Sequence, residues 1–501
     1  MTTRSNTFIQ RAFLAGVGVV YLSAFLSLWV QIDGLIGSSG ILPAESFLAQ
    51  AGSRLGVERY TSLPTLLWWT PVTNGALHLF CAAGVLFSGL LIVGFVPVLS
   101  CVVLWASYLS LYTVSRTFLS FQWDILLLEM GFLSIFYAPL GALSPRSPAW
   151  AVSPPRPVTW LLRLLVFKLM FSSGAVKLSS GDPTWWNLTA LAVHYETTCL
   201  PTWTGWYMHQ LPMWCHKLSV ALMFVSELML PFFVFGPRLL RIVAAIGFAG
   251  LMVFIGATGN YGFFNLQAIV LCLPLLDDDC LLRRARGWLE RVAAEAAGMA
   301  RPGWSWPAFV TLPLAMVLTV LTVIPLVRAF RVYAEWPAPL ATLDRWQQPF
   351  YIVNGYGLFA RMTTERPEII VEGSHGGTNW SAYEFKWKPG DPYRRPEFVE
   401  PHMPRLDWRM WFAALGSAER EGWFYPFCLR LLQGSPAVLG LLEHNPFPHA
   451  PPRYLRATLW DYRFTRWGSG SDAWWTRREL RPYTPVLALD TQGRLRAVRA
   501  E

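Results

Sequence analysis

Nine stretches of this chain are apolar over about the length needed to cross a bilayer, and that pattern constrains the fold more than any single motif. They lie at 12–30, 76–95, 98–114, 125–142, 158–178, 218–236, 239–257, 262–276 and 308–327. Hydrophobic residues make up 53% of the 501 and charged ones only 14%, which excludes an ordinary soluble protein and a disordered one alike. The expected class is an α-helical polytopic membrane protein of about eight to nine transmembrane helices, followed by an extramembrane α+β domain with a small β-sheet. The first run follows Arg4 and Arg11, as in a signal peptide, but no small-residue cleavage site precedes QIDGLIG, so it reads as a retained helix.

Loop charge sets the expected orientation, because cytoplasmic loops keep an excess of Lys and Arg. Arg283, Arg284, Arg286, Arg291 and Arg301 crowd 277–306, Arg238 and Arg241 sit in the 236–241 turn, and Arg146 and Arg156 lie in 143–157. This places the N-terminus in the cytoplasm and everything after the last run on the opposite face. The net charge of +10 is then mostly a topology signal; the basic residues are scattered over loops, and no nucleic-acid partner is expected.

Two parts follow: a multi-helix membrane domain over 1–328, with an extramembrane loop at 179–217, and a C-terminal domain over 329–501. In the latter, PEIIVEGS (367–374) and SAYEFKWK (381–388) predict a hairpin turning on HGGTNW. PRLDWRMWFAAL (404–415) and SPAVLGLLEHN (435–445) predict helices, and RYLRATLWDYRFT (453–465) a strand. Loop 179–217 is rich in Trp and Tyr, as suits the lipid–water interface. Cys199 and Cys215 share that loop, where a disulfide and two unpaired thiols are equally open readings.

Charged groups inside the apolar runs are the first functional candidates, because a bilayer-centre charge costs about 2.5–3.5 kcal/mol on the mildest scale and is turned inward and paired. Asp124 and Glu129 interrupt FQWDILLLEMGF (121–132), and the 158–178 run supplies Arg163, Lys168 and Lys177. These five make an expected intramembrane polar cluster. The two acids stand five positions apart, about 140° around a helix, so one cation cannot serve both. The expectation is that Asp124 faces the cationic helix and Glu129 another helix or a polar cavity. Only five of 41 basic residues are Lys, and two of them, Lys168 and Lys177, share this run. A desolvated Lys can act as a base where Arg cannot. The bland readings are that Lys177 snorkels to the headgroups and that Lys168 pairs with Asp124.

Other constellations are weaker. His194, Glu196, His209 and His216 lack metal-ligand spacing, so no metal is expected. GATGNYG (256–262) follows no strand and reads as a bend, and Ser374–His375 lacks a nucleophile elbow.

The segments FQWDILLLEMGF, GSSGILPA (37–44), FSSGAVKL (171–178), NGYGLFARMTTERPEIIVEGSHGGTNWSAYEFKWKPGD (354–391), PHMPRLDWRMWFAAL (401–415) and LLQGSPAVLGLLEHNPFPHAPPRYLRATLWDYRFT (431–465) together resemble the lipase maturation factor family. The resemblance implies a multi-spanning endoplasmic reticulum membrane protein that helps secreted lipases reach an active fold, its C-terminal domain facing the lumen and engaging the client. The scarcity of Lys fits a bacterial member equally, for which the location is the inner membrane. A second, shorter likeness is carried by FSSGAVKLSSGDPTWW (171–186), which is similar to a segment of vitamin K-dependent gamma-carboxylases and related horizontally transferred transmembrane-domain proteins. That likeness implies Lys177 as a base.

Two functions follow. The first is a folding factor with no cofactor, whose partners are membrane lipid and a secreted lipase or other hydrolase; Trp380, Tyr383, Phe385, Trp387, Trp408 and Trp411 are candidate client contacts, with domain core as the competing reading for each. The alternative is a membrane enzyme for a quinone-like or lipid-soluble substrate, with Lys177 as general base and Asp182 among the residues tuning it.

Overall fold

The computed structural model describes residues 7–280 and 304–498. Arg4, Arg283, Arg284, Arg286, Arg291 and Arg301, which weigh in the charge argument, lie outside the described residues.

All nine apolar runs are helical. Among the described residues, six helices are long and apolar enough to cross a membrane: α1 (Thr7–Trp29), α2 (Asn74–Val93), α3 (Pro97–Val114), α6 (Met213–Phe233), α7 (Arg238–Thr258) and α9 (Ala308–Ala329). Three more join the same bundle: α4 (Gln122–Tyr137), α5 (Arg156–Ser179) and α8 (Phe264–Cys272). The expected eight to nine therefore becomes six by length and composition. The physical reasons are plain: α4 has 16 residues, about 24 Å, α8 only nine, and α5 carries four basic residues.

These three shorter or charged helices nonetheless run from one end of the bundle to the other. At one end, Phe8 and Ile9 backbone N–H groups donate to Asp278, Arg238 holds Asp277 at 2.9 Å, Trp306 Nε1 donates to the Ile135 carbonyl, and Arg163 donates to the Pro274 carbonyl. At the other, Gly357 N–H donates to Gln122, Ser179 Oγ donates to the Ala329 carbonyl, and Asn265 binds Glu400. The close approach of helices depends on small residues. A Cβ on Gly131 of α4 would lie 1.9 Å from the Tyr21 hydroxyl, and one on Gly84 of α2 would lie 2.4 Å from the Phe25 ring.

Past α9 come α10 (Ala338–Gln347), α11 (Arg405–Ala414) and α12 (Phe424–Leu432), with an antiparallel sheet in the order β2-β1-β5-β7-β8. Its strands are β1 (Pro367–Ser374), β2 (Ser381–Ala382), β5 (Tyr454–Phe464), β7 (Val486–Leu489) and β8 (Leu495–Val498), and β6 (Trp475–Pro482) pairs β5 on its free stretch. β1 and β5 pair along their length, Ile369 opposite Leu459 and Val371 opposite Ala457, burying one apolar face. The predicted hairpin forms, Glu372 opposite Ala382, but its second arm breaks after two residues. Its continuation, β3 (Glu384–Phe385), pairs instead with β4 (Leu442–His444). That pairing also cuts short the helix expected over 435–445, which ends at Leu439. A single apolar core runs without a break from Phe13, Tyr21 and Leu127 of the helices into Trp408, Phe427 and Leu455.

Candidate functional site

The charged residues of FQWDILLLEMGF are met by residues distant in sequence. Asp124, fully buried, receives Arg405 of α11 through both terminal nitrogens, at 2.6 and 2.8 Å, and the Tyr108 hydroxyl at 2.5 Å. This planar two-point grip suits Arg and not Lys. Glu129, one turn and a half further along α4, pairs with Lys168 of α5 through Oε1. Its Oε2 accepts from the Asn354 backbone N–H at 3.0 Å, the Asn354 side chain at 3.2 Å and the Tyr356 hydroxyl at 2.7 Å. The expected assignment is thus reversed: Glu129 faces the cationic helix, and Asp124 faces the C-terminal region. The separation of the two acids around α4 was read correctly, but the Arg405 guanidinium 281 positions away satisfies both Asp124 oxygens, and the 158–178 run offers no such fork to Asp124.

The five-residue cluster does not form as one site. Arg163 lies near the opposite end and donates to the Pro274 carbonyl at 3.2 Å. Lys177 forms its own pair, reaching Glu227 at 2.8 Å to each carboxylate oxygen and the Ser173 carbonyl at 3.3 Å. It is 5% exposed and does not snorkel. Glu227 sits in a π-helical turn, Val225–Met229, that interrupts α6, and this irregularity turns the carboxylate inward. Asp182 is held by groups other than Lys177. Its Oδ1 caps the next turn through the Thr184 backbone and hydroxyl at 2.8 Å each, and its Oδ2 accepts from the Met362 N–H at 2.6 Å. Desolvation pushes this carboxyl up, but those donors outweigh it and hold it below the usual carboxylate range.

Loop 179–217 is a set of short helices packed under the C-terminal region. Fully buried Arg366 binds the carbonyls of Glu196 at 2.7 Å and Cys199 at 3.0 Å, and also that of Thr198. It pairs with Glu368 at 2.8 Å, and Lys388 reaches the other Glu368 oxygen at 3.0 Å. Cys199 and Cys215 are free thiols, so the disulfide reading is corrected: Cys199 is packed in the core, and Cys215 lies half-buried in the first turn of α6. Glu400, which accepts from the Tyr261 N–H and Asn265, is pushed up to about 7 by burial.

Of the client-contact candidates, Tyr383, Phe385, Trp408 and Trp411 are 2–6% exposed and belong to the core. Their strand and helix faces turn inward; the Trp411 indole donates to the Thr197 carbonyl at 3.1 Å. Trp380 lies half-buried under the Arg456 guanidinium, and Trp387 beside His402. The exposed aromatic surface lies elsewhere. Tyr207 packs edge-on against Trp467 at 5.5 Å and Trp203 at 6.2 Å, and Trp203 against Phe398 at 5.8 Å. Trp467 is 71% exposed.

The segments that carry the family likeness therefore interlock. FQWDILLLEMGF binds NGYG through Glu129 and PRLDWRMW through Asp124, while Gly40 and Ser39 of GSSGILPA accept from Arg430 and Ser435, each at 2.8 Å. The sequence model described as the lipase maturation factor transmembrane domain matches residues 8–283, and that of the lipase maturation factor C-terminal domain matches 352–485. The chain belongs to the lipase maturation factor family. It is 38% identical to lipase maturation factor 2 of Gallus gallus, covering 96% of this chain and 81% of the relative. Against lipase maturation factor 2 of Homo sapiens identity is 36% over 96% and 82%, and against lipase maturation factor 1 of Homo sapiens 33% over 95% and 87%. No solved structure matches. With its spanning helices, this member of the family is an integral membrane protein. The relatives' names speak of lipase maturation and lend no support to the quinone-type enzyme.

Sequence reasoning missed Arg405, Asn354 and Tyr356 as partners and gave Glu227 no partner. Glu227 carried a usable signal, a lone acid in an apolar run. Arg405 carried none, since it stands in a helix of mixed composition outside the apolar runs.

Proposed function

We propose that this membrane protein assists the maturation of a secreted lipase, and that 329–501 with 179–217 forms its client-facing side. Family membership across both the helical and the C-terminal portions carries the reading. Orientation is part of it: the end of the bundle holding the N-terminus, Arg238 and Arg241 is cytoplasmic, and the C-terminal region is lumenal in a eukaryote or periplasmic in a bacterium. The aromatic patch of exposed Tyr207, Phe398 and Trp467 with half-buried Trp203 supplies the client surface, Trp and Tyr being the residues that dominate protein-binding hot spots.

The test uses the full chain, because a truncated membrane half leaves Asp124 without Arg405. In cells lacking a maturation factor, a secreted lipase is expressed with this chain, and activity is measured per unit of secreted lipase. Restoration is expected, with most of it lost in a Tyr207→Ser/Trp467→Ser double variant that accumulates normally. No restoration by a correctly inserted chain, where lipase maturation factor 1 restores activity, overturns the proposal.

A further inference from the structure

A cleft of about 400 Å³ opens at the end of the bundle where Gln122 meets Gly357, between the last turns of α3 and α9 and beside α10. Two arginines line it: Arg328, in the last turn of α9, and Arg116, two residues past α3. Both stand at the depth of lipid headgroups. α9 has 22 residues, about 33 Å, and α3 has 18, about 27 Å, so each helix has crossed the hydrocarbon layer of about 30 Å where its arginine stands. The charges of the cleft do not balance. Asp344, the one carboxylate among its lining residues, is 7% exposed and accepts from the Gln347 and Gln348 amides at 3.0 Å each and from Arg328 at 3.5 Å. Arg116 is exposed and has no hydrogen bond or ion pair among the described residues. Two guanidinium groups thus stand against one carboxylate that already has its donors.

Below the cleft the outer surface is apolar. The amide of Asn354, a lining residue, donates to the Ile125 carbonyl of α4 at 3.2 Å, and on the same side of α4 Phe132 and Phe136 are half-buried. Trp105 of α3 flanks Phe132 at 5.7 Å, and Trp306, just before α9, flanks Phe136 at 5.1 Å. The gap between α3 and α9 is therefore a groove floored by α4, running from the cleft toward the opposite leaflet. We propose that the cleft holds the phosphate diester of an anionic phospholipid, with Arg116 and Arg328 on its oxygens and an acyl chain along Phe132 and Phe136. Arginine matches phosphate oxygens with paired donors, and basic pockets between membrane helices collect anionic headgroups. A lipid of charge −1 neutralises the excess of two arginines over one acid, whereas a zwitterionic headgroup leaves it standing. Free phosphate offers the same oxygens, but only a lipid also uses the groove.

The experiment is native mass spectrometry of the intact protein in a neutral detergent, titrated with dioleoylphosphatidylglycerol. One lipid is expected to bind ahead of the rest, about tenfold or more tighter than dioleoylphosphatidylcholine. Arg116→Gln and Arg328→Gln each weaken that first binding by about tenfold, the worth of a charge-assisted hydrogen bond. Arg54→Gln, which removes the same charge from an exposed position outside the cleft, leaves it unchanged. Arg116→Gln breaks no hydrogen bond, so without lipid it keeps the thermal midpoint of the parent, and its loss of binding is not a loss of fold. Inorganic phosphate and glycerophosphoglycerol, which carry the anion without the chains, displace the lipid only in large excess. Equal binding of the choline lipid, indifference to both cleft arginines, or displacement by inorganic phosphate at matched concentration overturns the proposal, the last leaving a site for a free anion only. The outcome is independent of lipase maturation, which is read separately in cells.

Discussion

Asp124 and Glu227 are both buried carboxylates in apolar stretches, yet they sit in opposite kinds of surroundings. Asp124 is closed in on every side, gripped by Arg405 through two nitrogens and by Tyr108, and its partner comes from a helix 281 residues away. Glu227 is held by Lys177 alone, on an irregular turn of its own helix, beside open space. A charge of the first kind joins two parts of a molecule. The second kind shapes a cavity.

That contrast can be broken most forcefully at Arg405. Arg405→Met strands a fully buried carboxylate and is expected to cost about 3–5 kcal/mol, whereas the Asp124→Leu/Arg405→Met pair recovers most of the loss, because an apolar pair needs no desolvation. Thermal unfolding in detergent, followed by tryptophan fluorescence, reads both. If the double variant is no better than the single, Asp124 is not the reason Arg405 is needed. Lys177→Met is expected to cost less, about 1–3 kcal/mol, since the cavity lets water or a displaced side chain reach Glu227. A loss equal to that of Arg405→Met would erase the distinction between the two sites.

Glu400 sharpens the comparison in pH. Burial raises its folded pKa to about 7, so the folded state holds a proton that the unfolded chain, near 4.5, releases earlier. Stability from this group is present below about 4.5 and is lost as pH rises through about 7. Glu400→Gln, which mimics the protonated form, should therefore gain on the parent across that window and then level off, by about 1–2 kcal/mol once solvent access is allowed for. The difference between variant and parent is the quantity to plot, because His402, pushed down to about 4 by burial and by nearby Arg405, titrates over the same range with the opposite sign. An advantage that does not change with pH refutes the assignment. The smallest effect belongs to Tyr195→Phe, whose lost hydroxyl has no partner in the described residues; the unfolding midpoint should move by no more than about 0.5 kcal/mol equivalent.

Helix positions were legible in the sequence because apolar length is a local property: every one of the nine runs is helical. The sheet was half legible. β5 alternates and β1 is a short apolar run before a glycine-rich turn, but 475–498, where β6, β7 and β8 lie, is Arg-rich and was not read as strands. The presence of paired charges was legible too, since Asp124 and Glu129 in an apolar run demand cations. Which cation was not, because Arg405, Asn354 and Tyr356 reach α4 from far along the chain and nothing local marks them. The aromatic candidates failed for a related reason: alternation tells that Tyr383 and Phe385 share a face but not which side of the sheet holds the core, and they proved to be buried while Tyr207 and Trp467 face outward.

The Asp124–Arg405 grip also has a consequence in time. Asp124 is translated 281 residues before Arg405, so at about 5–20 residues per second the helical bundle waits roughly 15–60 s for the side chain that neutralises it. Until then α4 carries two acids of which only Glu129 has a cation already made, Lys168. The membrane portion is thus unfinished throughout its own synthesis, and the arrival of the last third of the chain is the event that locks the rest in place.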